Sequence, residues 1–367
     1  MKKYIFLSIP FLIGVSSLLA FYFKDTAEII RVIPMSSKSI SLNKRVMQLA
    51  FGSCYVPQFD SNEIWDTISL RQPDLLVLLG DNVYQTEEKG EPELIELKQA
   101  YSQLSHDLKF SKLRKKTSLL ATWDDHDYGL NDADGSFSAK KQSEQLFEFV
   151  WPIPMQIEDE RLSRDGIYTS QLLGPYREKV QIILLDTRYF KSSGSLGESN
   201  MLGERQWNWL KGELKKEAQL RLIVSSIPVI EDTKIGENWH SHPRERTKLL
   251  SSITEANGGV SLILSGDSHY SYFSKIDFDG TSLLEITASS LNFPLPNDIR
   301  DDAYMANKYR VGGPVFVKNF GFIEIDWSQR KVKIKIIDDK NNVLMQEEVS
   351  LHDSVDKEKD VQNDISF

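Results

Sequence analysis

Four short apolar runs in this chain each end directly in a cluster of polar side chains. The runs cover residues 46–51, 74–79, 118–122 and 262–264. Short apolar runs bounded by turn residues are typical of buried strands. In open α/β sheets, ligands collect just beyond the carboxyl ends of such strands. The sequence therefore predicts buried strands whose polar loops converge on one site.

Amphipathic stretches separate the predicted strands. Residues 62–71 begin with a helix-capping residue and end just before Pro73, and their apolar side chains recur at helical spacing. A helix between two strands forms a parallel pair with a right-handed crossover. A hairpin is predicted from residues 167–172 and 180–185, helices at 204–216 and 244–256, and strands at 222–226, 272–276, 283–287, 315–320, 321–327, 332–337 and 343–351. This order predicts an α/β protein with mixed sheets covered by helices.

The N-terminus predicts export. Lys2 and Lys3 precede an apolar run at residues 4–23, which is long enough to span the hydrocarbon of a bilayer. The small residues around Leu18 and Ala20 form an imperfect cleavage pattern. This favours a membrane anchor over a cleaved signal peptide for residues 1–23, and we expect a periplasmic or extracellular protein.

The remainder of the chain predicts one catalytic domain at residues 45–351. Residues 24–44 are polar without periodicity and residues 352–367 are charged, so we interpret them as a linker and a tail. The net charge of -9 disfavours a nucleic-acid partner, since backbone phosphates are bound by clustered Lys and Arg. Cys54 is the only cysteine of the sequence, which excludes an internal disulfide.

The four polar loops carry residue types that bind metals. They are Gly52-Ser53-Cys54, Gly80-Asp81-Asn82-Val83-Tyr84, Asp124-Asp125-His126-Asp127 and Gly266-Asp267-Ser268-His269. A thiolate, a phenolate and an imidazole suit a trivalent or borderline metal, whereas several carboxylates suit a harder divalent ion. Consecutive acidic side chains after a buried strand are costly unless cations pair with them. The loops therefore predict a metal site.

In order and spacing these motifs resemble the PhoD-like alkaline phosphatases and phosphodiesterases of the metallophosphoesterase superfamily. The matching segments are Phe51–Cys54, Leu79–Tyr84, Thr122–Asp132, Leu185–Arg188 and Ser265–His269. The resemblance implies an αββα sandwich of two mixed sheets flanked by helices. It also implies a dinuclear site with iron(III) and a divalent ion, calcium, at which a metal-activated hydroxide hydrolyses small phosphomonoesters, phosphodiesters or both.

The resemblance also assigns roles to individual residues. It implies that iron is held by Cys54, Asp81, Tyr84 and His269, and that Asp81 bridges to a second metal held by Asp124, Asp125 and Asp267. His126 faces the phosphate in this assignment, and Asp125 and Asn131 complete the catalytic residues. The superfamily commonly has a histidine on the strand that ends at Ile223–Pro228, where this chain has Ser225 and Ser226. The identity of the second metal therefore stays open.

Residues 238–244 are a second candidate segment. Their aromatic, imidazole and guanidinium groups predict a wall of the substrate pocket made by Trp239, His242 and Arg244, although a plain loop before a helix fits the same pattern. Arg188 is interpreted as structural, pairing with a carboxylate.

Three other functions compete with this assignment. A cysteine-dependent phosphatase needs an arginine six residues after the nucleophile, and position 60 is Asp. A serine esterase could use Gly266-Asp267-Ser268, but no acid and histidine follow in the usual order. A non-catalytic metal-binding module would retain metal without hydrolysis.

Overall fold

The computed structural model describes most of the chain. The described residues are 30–59, 61–85, 92–154, 159–192, 194, 199–233, 236–296 and 306–351. The predicted signal or anchor at 1–23 and the predicted tail at 352–367 lie outside them. In this part of the chain, no helix has both the length and the apolar character needed to cross a membrane.

Two mixed sheets form the centre of the domain, with strands numbered in chain order. The first sheet contains β1 (Gln48–Gly52), β2 (Leu75–Leu78), β3 (Ser118–Ala121), β11 (Asn319–Asp326), β12 (Lys331–Asp338) and β13 (Val343–Ser350). Its order is β13-β12-β11-β1-β2-β3. Strands β1, β2 and β3 are parallel, and β11 to β13 pair in antiparallel fashion.

The second sheet is also mixed. It contains β4 (Thr169–Leu173), β5 (Val180–Leu184), β6 (Ala218–Val224), β7 (Gly258–Ser265), β8 (Ser271–Phe278), β9 (Thr281–Thr287) and β10 (Arg310–Val315). Its order is β10-β8-β9-β7-β6-β5-β4. Strands β5, β6, β7 and β9 are parallel. The predicted hairpin is the antiparallel pair of β4 and β5.

Helices cover the outer faces of both sheets. The α-helices of the described residues are α1 (Glu63–Arg71), α2 (Ile95–His106), α3 (Leu108–Arg114), α4 (Asp125–Tyr128), α5 (Lys140–Val150), α6 (Gly203–Glu213) and α7 (Pro243–Thr254). Side chains of α1, α2, α3 and α5 share a core with the first sheet, and those of α6 and α7 share a core with the second.

Alternate side chains of each central strand enter different cores. In β5, Ile182 belongs to the core between the sheets, and Ile183 belongs to the core under α6 and α7. In β2, Val77 lies between the sheets and Leu76 under the helices of the first sheet. Strands buried on both faces read as continuous apolar runs, as the sequence does here. The predicted αββα sandwich is confirmed.

The predicted division between two strands at residue 320 is wrong. The sequence predicts separate strands at 315–320 and 321–327, whereas β10 ends at Val315 and β11 runs unbroken as Asn319–Asp326. Gly321 lies inside β11, opposite Phe51 of β1. A Cβ atom at Gly321 would come within 2.1 Å of the Phe51 ring. The glycine therefore provides room for an aromatic ring and does not mark a turn.

The parallel strands bring the polar loops to one edge. In the first sheet Gly52 is level with Leu78, and in the second sheet Leu184 is level with Val224. The two sheets meet there, because Ser53 forms a parallel bridge with Ser289, which follows β9. The predicted convergence of the loops at the carboxyl ends of the strands follows from this registration.

Candidate metal centre

Four of the predicted ligands are held in the left-handed backbone region. The φ angles are 60° at Cys54, 49° at Asp81, 67° at Asp267 and 57° at His269. Such angles are uncommon outside glycine and asparagine, and they persist only where the surrounding structure fixes them. The loops therefore turn sharply as each strand ends, and this turns the ligand side chains toward one another.

The first cluster combines a thiol, a carboxylate and an imidazole. Ligand atoms of Cys54, Asp81 and His269 lie within 4.8 Å of one another, and we call these residues the thiol cluster. The Tyr84 hydroxyl joins them: it donates to Asp81 Oδ2 over 2.6 Å and lies 3.2 Å from His269 Nε2. His269 Nδ1 lies 2.7 Å from the carbonyl oxygen of Phe293, which fixes the ring with Nε2 toward the cluster.

The second cluster contains only carboxylates. Ligand atoms of Asp81, Asp124, Asp125 and Asp267 lie within 4.8 Å of one another, and we call these residues the carboxylate cluster. Asp81 belongs to both clusters. Asp81 Oδ1 and Asp124 Oδ2 are buried without a hydrogen-bond partner. Buried acceptors without a donor are costly in a folded protein, so these two oxygens fit a cation.

The electrostatics of the metal-free clusters disfavour their charged forms. Burial, with neighbouring acids adding to it, raises the pKa of Asp81 and of Asp267 well above the ordinary value. Burial also raises the pKa of the Cys54 thiol to about 11 and that of the Tyr84 hydroxyl well above its usual value. These groups become anionic ligands only when a cation compensates their charge. The residues present therefore fit metal ions.

Two further acids extend the site. Ligand atoms of Asp125, Asp132 and Glu237 also lie within 4.8 Å of one another. Glu237 pairs with Arg188 and with Lys191. No role was predicted for Glu237, Asp132 or Lys191, because the sequence around each of them does not indicate which strand end the side chain approaches. Arg188 is predicted to pair with a carboxylate, and Glu237 is one such partner.

Asp127 connects the loops without reaching either cluster. It is fully buried, and its Oδ2 accepts from the backbone and side-chain N–H groups of Asn82, each over 3.1 Å, and from the Asp124 backbone over 3.2 Å. The Tyr101 hydroxyl donates to its other oxygen over 2.9 Å. Asp127 thus ties the Asp81 loop to the Asp124 loop. The contact is close, because a Cβ atom at Gly80 would lie 2.7 Å from Asp124 Cβ.

His126 lies beside the thiol cluster. The centre of its ring is 4.2 Å from that of Tyr84, and its Nδ1 is buried without a hydrogen-bond partner. Burial lowers the pKa of His126, which favours the neutral imidazole. Its backbone N–H and that of Asp132 donate to the two oxygens of Asp125 over 2.9 and 2.7 Å.

The structure does not bring the predicted substrate wall together. Trp239 is fully buried, and its indole N–H donates to Ser225 Oγ over 3.0 Å, so it belongs to the core under α7. Arg244 is exposed on the outer surface of α7. His242 is buried near the charges of Lys191 and Glu237. Tryptophan beside histidine and arginine in sequence does not show which side chains face a pocket.

Asn131 and Ser268 are the remaining residues with a predicted catalytic role. Asn131 is exposed in the turn beside Asp132, outside both clusters. The Ser268 hydroxyl contacts the carbonyl of Gly266 and the hydroxyl of Tyr272, and no histidine pairs with it among the described residues. This geometry gives no support to the serine esterase alternative.

The metal-free protein should lose stability as the pH rises from about 4 to about 7. Burial raises the pKa of Asp124, opposed in part by Arg188, and the pKa of Asp127 from 3.8 to about 7. These two shifts outweigh the opposite contribution of His269, whose pKa burial lowers from 6.5 to about 4. The folded state then retains a proton that the unfolded state has released, so the free energy of unfolding falls with pH over this interval. Urea unfolding at about pH 4.5 and about pH 8 measures the change.

Bound metal should reverse this trend, since metal binds the ionised carboxylates and releases their protons. The metal-loaded protein should be the more stable form at about pH 8 and should gain little from metal at about pH 4.5. A metal-free protein with equal unfolding free energy at both values would contradict the charge crowding described above.

A family model and a solved structure agree with this fold. The family model described as PhoD-like phosphatase matches residues 49–336. A solved structure titled "Structure of PhoD" aligns with a TM-score of 0.65 and 16% identity, over 85% of this chain and 71% of that chain, which shows a shared fold. A conserved uncharacterized protein from Streptococcus pneumoniae, titled a predicted phosphoesterase, aligns with a TM-score of 0.32 and 10% identity, over 83% and 97%. No curated protein matches the chain.

Proposed function

The chain belongs to the PhoD-like phosphatase family, and on that premise we propose that it hydrolyses phosphate esters with two metal ions held by the thiol and carboxylate clusters. The observation that carries the proposal is the position of Asp81, which belongs to both clusters and has one oxygen without a partner. A carboxylate shared in this way can bridge two ions. The proposed substrate is a small phosphate ester, either a monoester or a diester.

The donor atoms suggest different ions for the two positions. Cys54, Tyr84 and His269 offer sulfur, phenol oxygen and imidazole nitrogen, which suit iron(III) better than magnesium or calcium. The carboxylate cluster offers only oxygens, which suit a hard divalent ion, and calcium is the proposed one. When bound, the two ions would lower the pKa of a nucleophilic water and neutralise phosphoryl oxygens.

The protein residues have separate tasks in this proposal. Asp81 holds the two positions together, and Asp125 orients the turn that carries His126. His126 is half-buried, its Nδ1 has no hydrogen-bond partner and its pKa is lowered, so it can hydrogen-bond a phosphoryl oxygen or exchange a proton with the leaving group. Asn131 is proposed as a polar group at the entrance, since it is exposed beside Asp132.

The cellular setting is also a proposal. The apolar segment at residues 4–23 after Lys2 and Lys3 supports export and a single membrane anchor. The soluble substrate would then be met outside the cytoplasm. Detection of residue 1 in the mature protein by mass spectrometry would distinguish an anchor from a cleaved signal peptide.

The soluble segment from about residue 40, loaded with both metals, should hydrolyse p-nitrophenyl phosphate or its bis ester at neutral to alkaline pH. Metals at such sites bring the pKa of water toward about 7, so the rate should rise with pH in that range. Chelators should abolish it. Release of p-nitrophenol, measured beside the metal content from elemental analysis, tests this directly.

The same measurement separates the alternatives. Folded protein that holds two metals and hydrolyses neither ester would refute the proposed hydrolase activity and favour a non-catalytic metal-binding module. Hydrolysis that survives complete removal of metal would instead refute the role of the two clusters.

A further inference from the structure

A buried arginine lies behind the carboxylate cluster. Arg188 follows β5 and is fully buried. Its Nε lies 2.5 Å from Asp124 Oδ1, and its Nη1 lies 2.5 Å from Glu237 Oε2. Its backbone N–H donates to Asp186 over 2.9 Å, which fixes the start of the side chain. A buried guanidinium requires anionic partners, and its planar set of N–H groups holds the two carboxylates in a fixed geometry.

Asp124 divides its two oxygens between the protein and the cluster. Oδ1 accepts from Arg188 and also from the Ser226 hydroxyl over 2.6 Å. Ser226 is in turn 2.5 Å from the hydroxyl of Thr187. Oδ2 is buried, has no hydrogen-bond partner, and belongs to a residue of the carboxylate cluster. The contacts at Oδ1 therefore hold Asp124 in an orientation that leaves a single oxygen for a cation.

The same guanidinium reaches a second loop. Glu237 lies in the segment after β6, and its carboxylate pairs with Arg188 and Lys191. Arg188 thus connects the loop after β3, which carries Asp124, to the segment that carries Glu237. Loss of the side chain would leave the buried Asp124 carboxylate without a cationic partner and Glu237 with Lys191 alone.

The thiol cluster is positioned by other groups. Ser289 Oγ lies 3.1 Å from Cys54 Sγ and accepts from the His269 backbone over 2.8 Å. The Phe293 carbonyl fixes the imidazole of His269, and Tyr84 is bonded to Asp81. None of these contacts involves Arg188. The two metal positions therefore depend on different supporting residues.

We propose that Arg188 is a positioning residue for the carboxylate cluster alone. It orients Asp124 of that cluster for a divalent ion, holds Glu237 beside it, and has little influence on the ion in the thiol cluster. This proposal rests on the two metal positions of the proposed function. Supporting residues of this kind typically change metal affinity by about 10- to 100-fold. Arg188→Met should therefore raise the Kd for calcium by about 10- to 100-fold while iron content stays at the wild-type level.

Simple electrostatics makes the opposite prediction. A guanidinium beside a cation site repels the cation, so removing it would tighten calcium binding if Arg188 acted only through its charge. Arg188→Lys separates the effect of charge from the effect of positioning. Lysine keeps the positive charge but lacks the planar guanidinium that reaches both Asp124 and Glu237. Positioning predicts weaker binding in both variants, with lysine intermediate.

Arg221 provides a matched control. It lies on β6 of the second sheet and is also fully buried. Its guanidinium donates hydrogen bonds to the Gln181 side chain and to the carbonyls of Lys216 and Asn257. None of these partners belongs to a cluster. Arg221→Met should lower the unfolding temperature and leave calcium affinity unchanged, which separates loss of a buried arginine from loss of positioning.

The experiment is a calorimetric titration of calcium alone into iron-loaded protein, with iron measured by elemental analysis. If Arg188→Met unfolds, Ser226→Ala removes one hydrogen bond to the same Asp124 oxygen and should still weaken calcium binding several-fold. Calcium affinity equal to or tighter than wild type in the folded Arg188 and Ser226 variants would overturn the proposal and leave the proposed function intact. A wild-type protein that binds no calcium would overturn the divalent position itself, and this inference with it.

Discussion

Replacing Asp81 by asparagine is expected to separate the two metal positions and to lower kcat by about 10³-fold or more, since metal stabilisation of the transition state is worth several kcal/mol and 1.36 kcal/mol is tenfold in rate. Asp81 Oδ2 faces the other residues of the thiol cluster. It accepts a hydrogen bond from the Tyr84 hydroxyl and lies 3.7 Å from Cys54 Sγ. Its Oδ1 is the oxygen without a partner. An asparagine keeps the shape and loses the charge that bridges two cations.

Asp267→Asn should do less damage. Asp267 belongs to the carboxylate cluster only, so its loss should weaken binding of the divalent ion and leave the iron bound. Metal content from elemental analysis and kcat with p-nitrophenyl phosphate, measured on both variants, decide between the two roles. Two ions per chain in Asp81→Asn, at the wild-type level, would contradict the bridging role.

Asp74→Asn is the matched control for this pair. Asp74 lies at the amino end of β2, where its carboxylate accepts from the backbone N–H groups of Met47 and Gln48 and pairs with Lys44. Asp81 lies beyond the opposite end of the same strand. The control should lower stability slightly and change neither metal content nor kcat, because neither cluster contains it.

The sequence predicted the central strands well for a physical reason. Helices cover both sheets, so the central strands are apolar on both faces and stand out from their flanks. Helices α2, α3, α4 and α5 were not predicted. Helix α3 has only seven residues, and in α5 only Phe147 and Val150 are buried apolar side chains while Phe149 is exposed, so each apolar pattern is short.

The positions of the ligand loops could also be predicted from the sequence, because the carboxyl ends of parallel strands lie at the same edge of a sheet. The directions in which their side chains point could not be predicted. Asp127 looks like a fourth acid of the same run, yet it points to Asn82 and Tyr101 and joins the loops together. Trp239 looks like a pocket residue and packs in the core. Sequence adjacency cannot separate these cases, because a short helix turn sends consecutive side chains in different directions.

Two serines follow β6 at the position where the resemblance led us to expect a histidine. Ser226 donates to Asp124, and Ser225 accepts from the Trp239 indole while its hydroxyl donates to the Ile227 carbonyl. This strand end therefore supplies hydrogen bonds that orient the Asp124 carboxylate. A site with fewer nitrogen donors on the carboxylate side is better suited to a hard ion.

The second large effect concerns colour. Purified protein containing iron(III) should absorb visible light, because electrons of a coordinated phenolate can be transferred to the ferric ion, which zinc and calcium sites do not allow. The Tyr84 hydroxyl lies 2.6 Å from Asp81 and 3.2 Å from His269, in position to share an ion with both. Tyr84→Phe should lose or strongly shift the band, since it removes only the oxygen.

Two further variants test whether the band belongs to the thiol cluster. Cys54→Ser should shift the absorption, because sulfur is replaced by a weaker donor. Tyr128→Phe is a matched control, since Tyr128 is fully buried nearby and its hydroxyl donates to the Asp134 carbonyl and not to a cluster residue. It should leave the spectrum unchanged. Absorption spectra at equal protein concentration, with iron measured in each sample, provide the comparison. A wild-type protein that is colourless, free of iron and fully active would refute the iron assignment and leave two divalent ions beside a Cys54 that binds none.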